Sequence, residues 1–102
     1  MILAFVRGTV VSTNKTERLK GSKLLVVQEW DVKTGKPGSL VKVAVDTVGA
    51  GIEELVLCVS GSSARQTCRT EGKPVDLAVV GIVDQVDLGE ETCYCKYTKG
   101  EE

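Results

Sequence analysis

The stretch "LVKVAVDT", residues 40–47, carries the clearest alternation of side-chain character in the chain. Val41, Val43 and Val45 alternate with a lysine, an alanine and an aspartate. Side chains two residues apart lie on the same face of a β-strand. This period of two therefore predicts a strand with a buried valine face and a wetter opposite face.

Further runs of strand-like composition surround this stretch. They cover residues 2–13, 23–30, 53–60, 75–86 and 91–97. Between the runs lie segments rich in glycine, proline, serine and charged residues, at 14–22, 33–39, 62–74 and 87–91. Together the runs and breakers predict six short strands joined by turns, and hence an all-β barrel or sandwich.

Two glycines and one hydroxyl-rich segment refine this prediction. Gly8 and Gly81 lie inside predicted strands, where glycine marks a bulge or a tight bend, so they favour a small closed barrel. The segment 62–67 begins with serines suited to cap a helix, and Gly72 and Pro74 follow it closely. It is the one place where the sequence predicts a short helix.

Size and charge limit the functions open to the chain. Its 102 residues, 42% of them hydrophobic, predict a single domain over 1–102 that gains stability from oligomerisation. Lysine and arginine number 13 against 14 acidic residues, so the net charge of −1 gives no attraction toward nucleic acid or an acidic membrane. The N-terminus lacks the basic start of a signal peptide, and no apolar run reaches ~18 residues, which predicts a soluble intracellular protein.

Familiar phosphate-binding and catalytic patterns do not fit the sequence. In "GAGIEE", residues 49–54, Glu54 occupies the position where a dinucleotide fingerprint needs a small residue. Both glycine–lysine pairs, at 35–36 and 72–73, are followed by proline, which departs from the P-loop pattern. The chain has no histidine, which excludes histidine-based catalysis and histidine-ligated metals. We therefore predict no catalytic residue, cofactor or metal site.

Two alternative functions remain open at this point. The cysteines are expected to be reduced thiols, yet together they could supply the ligands of a metal-binding module. They are Cys58, Cys68, Cys93 and Cys95. A small barrel could also bind single-stranded nucleic acid by aromatic stacking. Aromatic residues make up only 4% of the chain, however, and the sequence shows no stacking platform.

Three segments together resemble one known family. They are "GTVVSTNKTERLKGSKLLVVQ" (8–28), "VAVDTVGAGIEELVLCVSGSSAR" (43–65) and "KPVDLAVVGIVDQV" (73–86). In this order and spacing they resemble the bacterial microcompartment vertex proteins, the shell pentamers of carboxysomes and of ethanolamine- and propanediol-utilisation compartments. The loop "DVKTGKPGS" and the cysteine-bearing C-terminal segment depart from the resemblance.

The resemblance implies a small OB-like closed β-barrel of five to six strands with one short helix, assembled as a cyclic pentamer. Such pentamers cap the vertices of a polyhedral shell in the bacterial cytoplasm. The implied partners are further copies of the chain and hexagonal microcompartment shell proteins, with no nucleic acid, membrane or cofactor.

This reading suggests a role for the small residues Gly49, Ala50 and Gly51. They would let the backbone approach a neighbouring subunit or the five-fold axis, and their amides would be available to an anion. The candidate subunit-interface or pore residues are Asp46, Gly49, Ala50, Gly51, Ser62, Ser63 and Arg65. We expect Asp46 or Arg65 to make a charged contact across the subunit interface.

Overall fold

The computed structural model describes residues 1–13, 22–60 and 76–96. These residues contain seven strands: β1 (Ile2–Val10), β2 (Lys23–Asp31), β3 (Lys36–Asp46), β4 (Leu55–Ser60), β5 (Leu77–Ile82), β6 (Gln85–Leu88) and β7 (Glu91–Cys95). The predicted helix at 62–67 lies outside the described residues. In the described ranges there is no helix long and apolar enough to cross a membrane.

Five of the strands close into a barrel in the order β1-β2-β3-β5-β4. Neighbouring strands run antiparallel except β3 and β5, which pair in parallel through Val45 and Asp46 of β3. The register shifts beside Gly8 and beside Gly81, as expected for glycines that mark bulges. The prediction of a small, closed, all-β barrel is confirmed.

The predicted fifth run, 75–86, contains two strands rather than one. The chain leaves the barrel after Ile82, and the Val83 amide donates to the Leu55 carbonyl at 2.9 Å. β6 and β7 then form a separate two-stranded sheet, the β6–β7 hairpin. The apolar pattern did not reveal the break because it runs on through both strands without a turn signal.

β3 also begins earlier than the breaker segment 33–39 predicted. A tight turn precedes Lys36, which already pairs with Asp31 of β2. Pro37 lies opposite Trp30. Among the described residues no strand lies on the other side of this part of β3, and proline is tolerated on such an edge strand.

The valine face of residues 40–47 points out of the barrel, so the prediction that it is buried was wrong for most of its length. Val41 and Val43 are 55% and 52% exposed, whereas Ala44 on the opposite face is 1% exposed and lies in the core. Only Val45 of the valine face is buried, in a small second cluster. A period of two separates the faces of a strand without saying which face points inward. In the barrel Ala44 pairs with Leu25 of β2, and both side chains lie in the core.

The barrel interior is filled by aliphatic side chains from all five strands and from the loop after β3. The core cluster comprises Ala4, Val6, Leu25, Val27, Ala44, Ala50, Val56, Cys58, Leu77 and Val79. Ala50 is its only member from that loop. The loop that carries most of the candidate residues is therefore anchored in the core.

Candidate functional site

Residues 46–54, here called the β3–β4 loop, wind around the carboxylate of Asp46. This side chain is 2% exposed and accepts hydrogen bonds from the amides of Val48 at 3.0 Å, Gly49 at 3.1 Å and Ala50 at 3.1 Å. Aspartate often organises a turn by accepting the amides that follow it. Asp46 therefore determines the path of the loop from its inside.

Lys23, at the start of β2, supports the loop from one side. Its Nζ lies 4.0 Å from Oδ2 of Asp46 and donates to the carbonyl of Ala50 at 3.3 Å. The lysine side chain is 53% exposed, so it neutralises the buried carboxylate while its own charge stays partly hydrated.

Glu54 closes the other end of the loop. Its Oε2 accepts a hydrogen bond from Nζ of Lys96 at 2.7 Å, and its Oε1 accepts the amide of Gly51 at 2.5 Å. The bond from Lys96, followed by that from Gly51, lowers the pKa of the Glu54 carboxyl below its usual value. Because Lys96 follows β7, Glu54 also ties the loop to the β6–β7 hairpin.

The three small residues of the loop play different parts within one subunit. Ala50 is fully buried, whereas Gly49 and Gly51 are exposed. Gly49 has φ of +79°, in the left-handed region that other residues adopt only with strain. The amides of all three already donate to Asp46 or Glu54, so the expectation that they are available to an external anion was wrong.

The other expectations for this loop stay predictions. They are a close approach of Gly49 and Gly51 to a neighbouring subunit and a charged contact of Asp46 across the interface. The remaining candidates lie outside the described residues: Ser62, Ser63 and Arg65.

β1 holds the β3–β4 loop by contacts that the sequence did not predict. The Glu53 amide donates to the Val6 carbonyl at 2.7 Å, and the Val6 amide donates to the Glu54 carbonyl at 3.0 Å. Glu53 has φ of +71°, and its carboxylate lies 2.6 Å from Nη1 of Arg7. The left-handed conformation costs a non-glycine residue roughly 1–2 kcal/mol. The contacts to β1 hold Glu53 in it.

Three aromatic side chains fasten the β6–β7 hairpin to the barrel. Phe5 of β1, Trp30 of β2 and Tyr94 of β7 have ring centroids between 5.9 and 6.3 Å apart and meet edge to face. Trp30 is only 7% exposed, so these rings pack on one another. They lie far apart in the sequence, and no local pattern signalled that they would meet.

A family model described as "Ethanolamine utilisation protein EutN/carboxysome" matches residues 1–84. The chain belongs to the EutN/CcmL family. Its relatives in this family match it almost from end to end. The carboxysome shell vertex protein CcmL of Synechocystis is 48% identical over 100 residues, 98% of this chain and 99% of that protein.

Two further relatives are named as microcompartment shell proteins. The bacterial microcompartment shell vertex protein EutN of Salmonella typhimurium is 48% identical over 96 residues, 94% of this chain and 96% of that protein. The solved structure of the GrpN pentameric microcompartment shell protein from Rhodospirillum rubrum superposes with a TM-score of 0.77 at 51% identity. That superposition covers 86% of this chain and 99% of GrpN. The family expected from the sequence is confirmed.

The cysteines of this EutN/CcmL family member are divided between the barrel and the hairpin. Cys58 is fully buried in the core, and burial raises the pKa of its thiol to about 11, so it is protonated at neutral pH. Cys93 and Cys95 are half-buried on β7, and Cys68 lies outside the described residues. In the part of the chain that the structure describes, no three potential metal ligands come together.

We expect Glu54→Gln to reduce the stability of the fold at neutral pH and to flatten its dependence on acid. Because the folded-state pKa of Glu54 lies below its usual value of 4.5, the ionised carboxylate stabilises the fold above that pH. This contribution is lost as the pH falls through the folded-state pKa. Urea unfolding of both proteins between neutral pH and about pH 3 measures the effect.

Glu29→Gln provides the matched control, because Glu29 is half-buried on β2 and makes no ion pair within the described residues. It should reduce stability at neutral pH less than Glu54→Gln. The interpretation is contradicted if the difference in unfolding free energy between wild type and Glu54→Gln is the same at neutral and at acid pH.

Proposed function

We propose that this chain is a structural vertex subunit, a homopentamer that closes the corners of a polyhedral bacterial microcompartment. The observation that carries the proposal is its almost end-to-end likeness to proteins named as shell vertex proteins of carboxysomes and other microcompartments. GrpN, at 51% identity, is a pentameric shell protein with the same fold. Microcompartments lie in the bacterial cytoplasm, where this chain acts.

The mechanism is geometric rather than chemical. Flat hexagonal tiles alone do not close a shell, and pentagonal units at the corners supply the missing curvature. A cyclic ring is built from heterologous contacts, in which one patch of a subunit meets a different patch of its neighbour. The partners of the finished pentamer are hexagonal shell proteins, which contact its rim.

A structural and non-catalytic role agrees with how the charged side chains are used. The carboxylates of Asp46 and Glu54 are buried or half-buried, and they bind amides of their own loop and the lysines Lys23 and Lys96. The nucleic-acid alternative needs exposed aromatic rings, and Trp30 is buried between two others. The metal alternative needs convergent thiolates, and Cys58 lies inside the barrel core.

Native mass spectrometry, with and without a zinc chelator, tests the pentamer. Subunits of 10.9 kDa give a pentamer of 5 × 10.9 = 54.5 kDa, which we expect to persist with the chelator. A monomer would contradict the proposal. An oligomer that carries zinc and dissociates with the chelator would favour the metal-binding module.

Co-production with hexagonal shell proteins tests the vertex function. Electron microscopy should show closed polyhedra when this chain is present, and open sheets or tubes when it is omitted. Closed polyhedra in both samples, or the absence of this chain from purified shells, would contradict the proposal.

Gly49→Ala should impair both folding and assembly. The positive φ alone is expected to lower the unfolding free energy by roughly 1–2 kcal/mol, because a Cβ at this position meets open space within the subunit. If Gly49 also lies close to a neighbouring subunit, the added methyl group lowers the fraction of pentamer at low concentration. Urea unfolding and native mass spectrometry separate the two effects.

Gly35→Ala is the matched control, since Gly35 has φ of +71° and equally open surroundings in the turn between β2 and β3. It should carry the same backbone cost in urea unfolding. Gly8→Ala on β1, where an added Cβ also meets open space, is the control for assembly and should leave the pentamer fraction unchanged. Equal pentamer fractions for Gly49→Ala and Gly8→Ala would contradict a close approach of Gly49 to the next subunit.

A further inference from the structure

The first part of β3 has an open edge and exposed apolar side chains. β3 pairs with β5 only through Val45 and Asp46, so within the described ranges no strand lies beside the rest of that edge. Leu40, Val41 and Val43 are 43%, 55% and 52% exposed. An open edge with apolar side chains is a template on which another chain can pack.

The same part of the chain is basic. The segment 33–45 contains three lysines and no acidic residue, a net charge of +3. All three lysines are exposed, and none makes an ion pair within the described residues. They are Lys33, Lys36 and Lys42. Lys36, Leu40 and Lys42 lie on one face of β3 and Val41 and Val43 on the other, and both faces are exposed beside the open edge. These residues and Lys33 form what we call the β3 surface.

The β6–β7 hairpin carries the opposite charge. The segment 84–96 has four acidic residues and one lysine, a net charge of 1 − 4 = −3. The four acidic residues are all exposed, whereas Lys96 is paired with Glu54. They are Asp84, Asp87, Glu90 and Glu91. Leu88, between them, is 49% exposed and offers an apolar contact.

The two surfaces lie on different strands. The hairpin packs on β1, on β2 and on the loop before β4, through Tyr94 on Phe5 and Trp30 and through Lys96 on Glu54. Trp30 pairs with Pro37 at the start of β3, whereas the exposed Val41 and Val43 lie further along that strand, opposite Gln28 and Val26. One subunit therefore presents an apolar, basic patch and an acidic patch on different strands, as a cyclic ring of heterologous contacts requires.

We propose that the β3 surface of one subunit binds the acidic β6–β7 hairpin of the next copy of this chain. The inference rests on the proposed pentamer and names the two sides of its subunit interface. Burial of the exposed valines supplies the affinity, and the opposite charges determine which patch meets which.

Val43→Lys tests the apolar half of this interface. The side chain is half exposed in the single subunit, so lysine should leave the barrel folded, as circular dichroism can verify. In the pentamer, the lysine at position 43 places a charge in the apolar contact of every subunit interface. We expect the concentration at which the pentamer dissociates to rise at least about tenfold in native mass spectrometry. Val11→Lys is the matched control, because Val11 is 97% exposed and lies outside both surfaces.

Charge reversal tests which surfaces meet. Lys36→Glu with Lys42→Glu, and separately Glu90→Lys with Glu91→Lys, should each weaken the pentamer. A chain with all four substitutions restores opposite charges at each interface and should recover much of the lost assembly. The recovery should be larger at low salt, since exposed charges are screened at high ionic strength.

The outcomes separate this inference from the function on which it rests. If the wild-type chain is no pentamer, the proposed function itself fails. If wild type and Val43→Lys dissociate at the same concentration, the interface lies elsewhere. If Val43→Lys remains pentameric but no longer joins hexagonal shell proteins, the β3 surface binds those proteins instead. If Val43→Lys dissociates and charge reversal gives no recovery, the hairpin is not the partner. Each of these results would overturn the inference.

Discussion

Replacing Asp46 with alanine should lower the free energy of unfolding by about 3 kcal/mol. The buried amide of Ala50 then has no hydrogen-bond acceptor, and the amides of Val48 and Gly49 lose their charged acceptor. The amides of Val48 and Gly49 are only partly buried and can bind water, which limits the loss. Urea unfolding at a fixed protein concentration measures the effect, since assembly also contributes to stability.

Two other substitutions test whether the lost hydrogen bonds to the Asp46 carboxylate cause the loss of stability. Asp46→Asn keeps one acceptor oxygen and should show an intermediate loss. Asp31→Ala removes an exposed carboxylate that accepts a single amide, that of Lys33 at 2.9 Å, and should cost less than about 1 kcal/mol. A loss for Asp46→Ala no larger than that for Asp31→Ala would refute the structural importance of Asp46.

Trp30→Ala should be the most destabilising of the substitutions considered, with a loss of about 3–5 kcal/mol. It leaves a large cavity, because Trp30 is 7% exposed and packs against Phe5 and Tyr94. It also removes the largest ring on which the β6–β7 hairpin rests. Thermal and urea unfolding give the change in stability, and hydrogen exchange of the β7 amides reports whether the hairpin still docks.

Trp30→Phe is the control that keeps an aromatic ring, and it should lose clearly less stability than Trp30→Ala. If the amides of β7 exchange at the wild-type rate in Trp30→Ala, the aromatic cluster does not hold the hairpin. The salt bridge between Lys96 and Glu54 would then be its main attachment.

These predictions divide the β3–β4 loop into an inner and an outer part. Asp46 and Ala50 act inside the subunit and shape the loop, whereas Gly49 and Gly51 are exposed on it. A substitution of Asp46 is thus expected to act on folding first and on assembly through the loop. Gly49 is better suited to report on subunit contacts.

Much of the architecture was readable from the sequence because it depends on local rules. Alternating valines in 40–47 indicated a strand, and glycines at 8 and 81 indicated bulges beside which the register does shift. The order and spacing of the three quoted segments indicated the family. The strand and bulge signals each lie within a few consecutive residues, whose local geometry follows directly from the sequence. The family signal extends over residues 8–86, but it needs only the order and spacing of the segments.

The amino-acid pattern was therefore enough to predict the all-β closed barrel and the family to which the chain belongs. It did not predict that Val41 and Val43 face outward or that Asp46 and Glu54 bind the amides of the loop. Nor did it predict the contacts among Phe5, Trp30 and Tyr94, and one cause explains all of these differences. A strand's period of two is symmetric between its faces, and contacts between distant residues arise only when the barrel closes and brings their strands together.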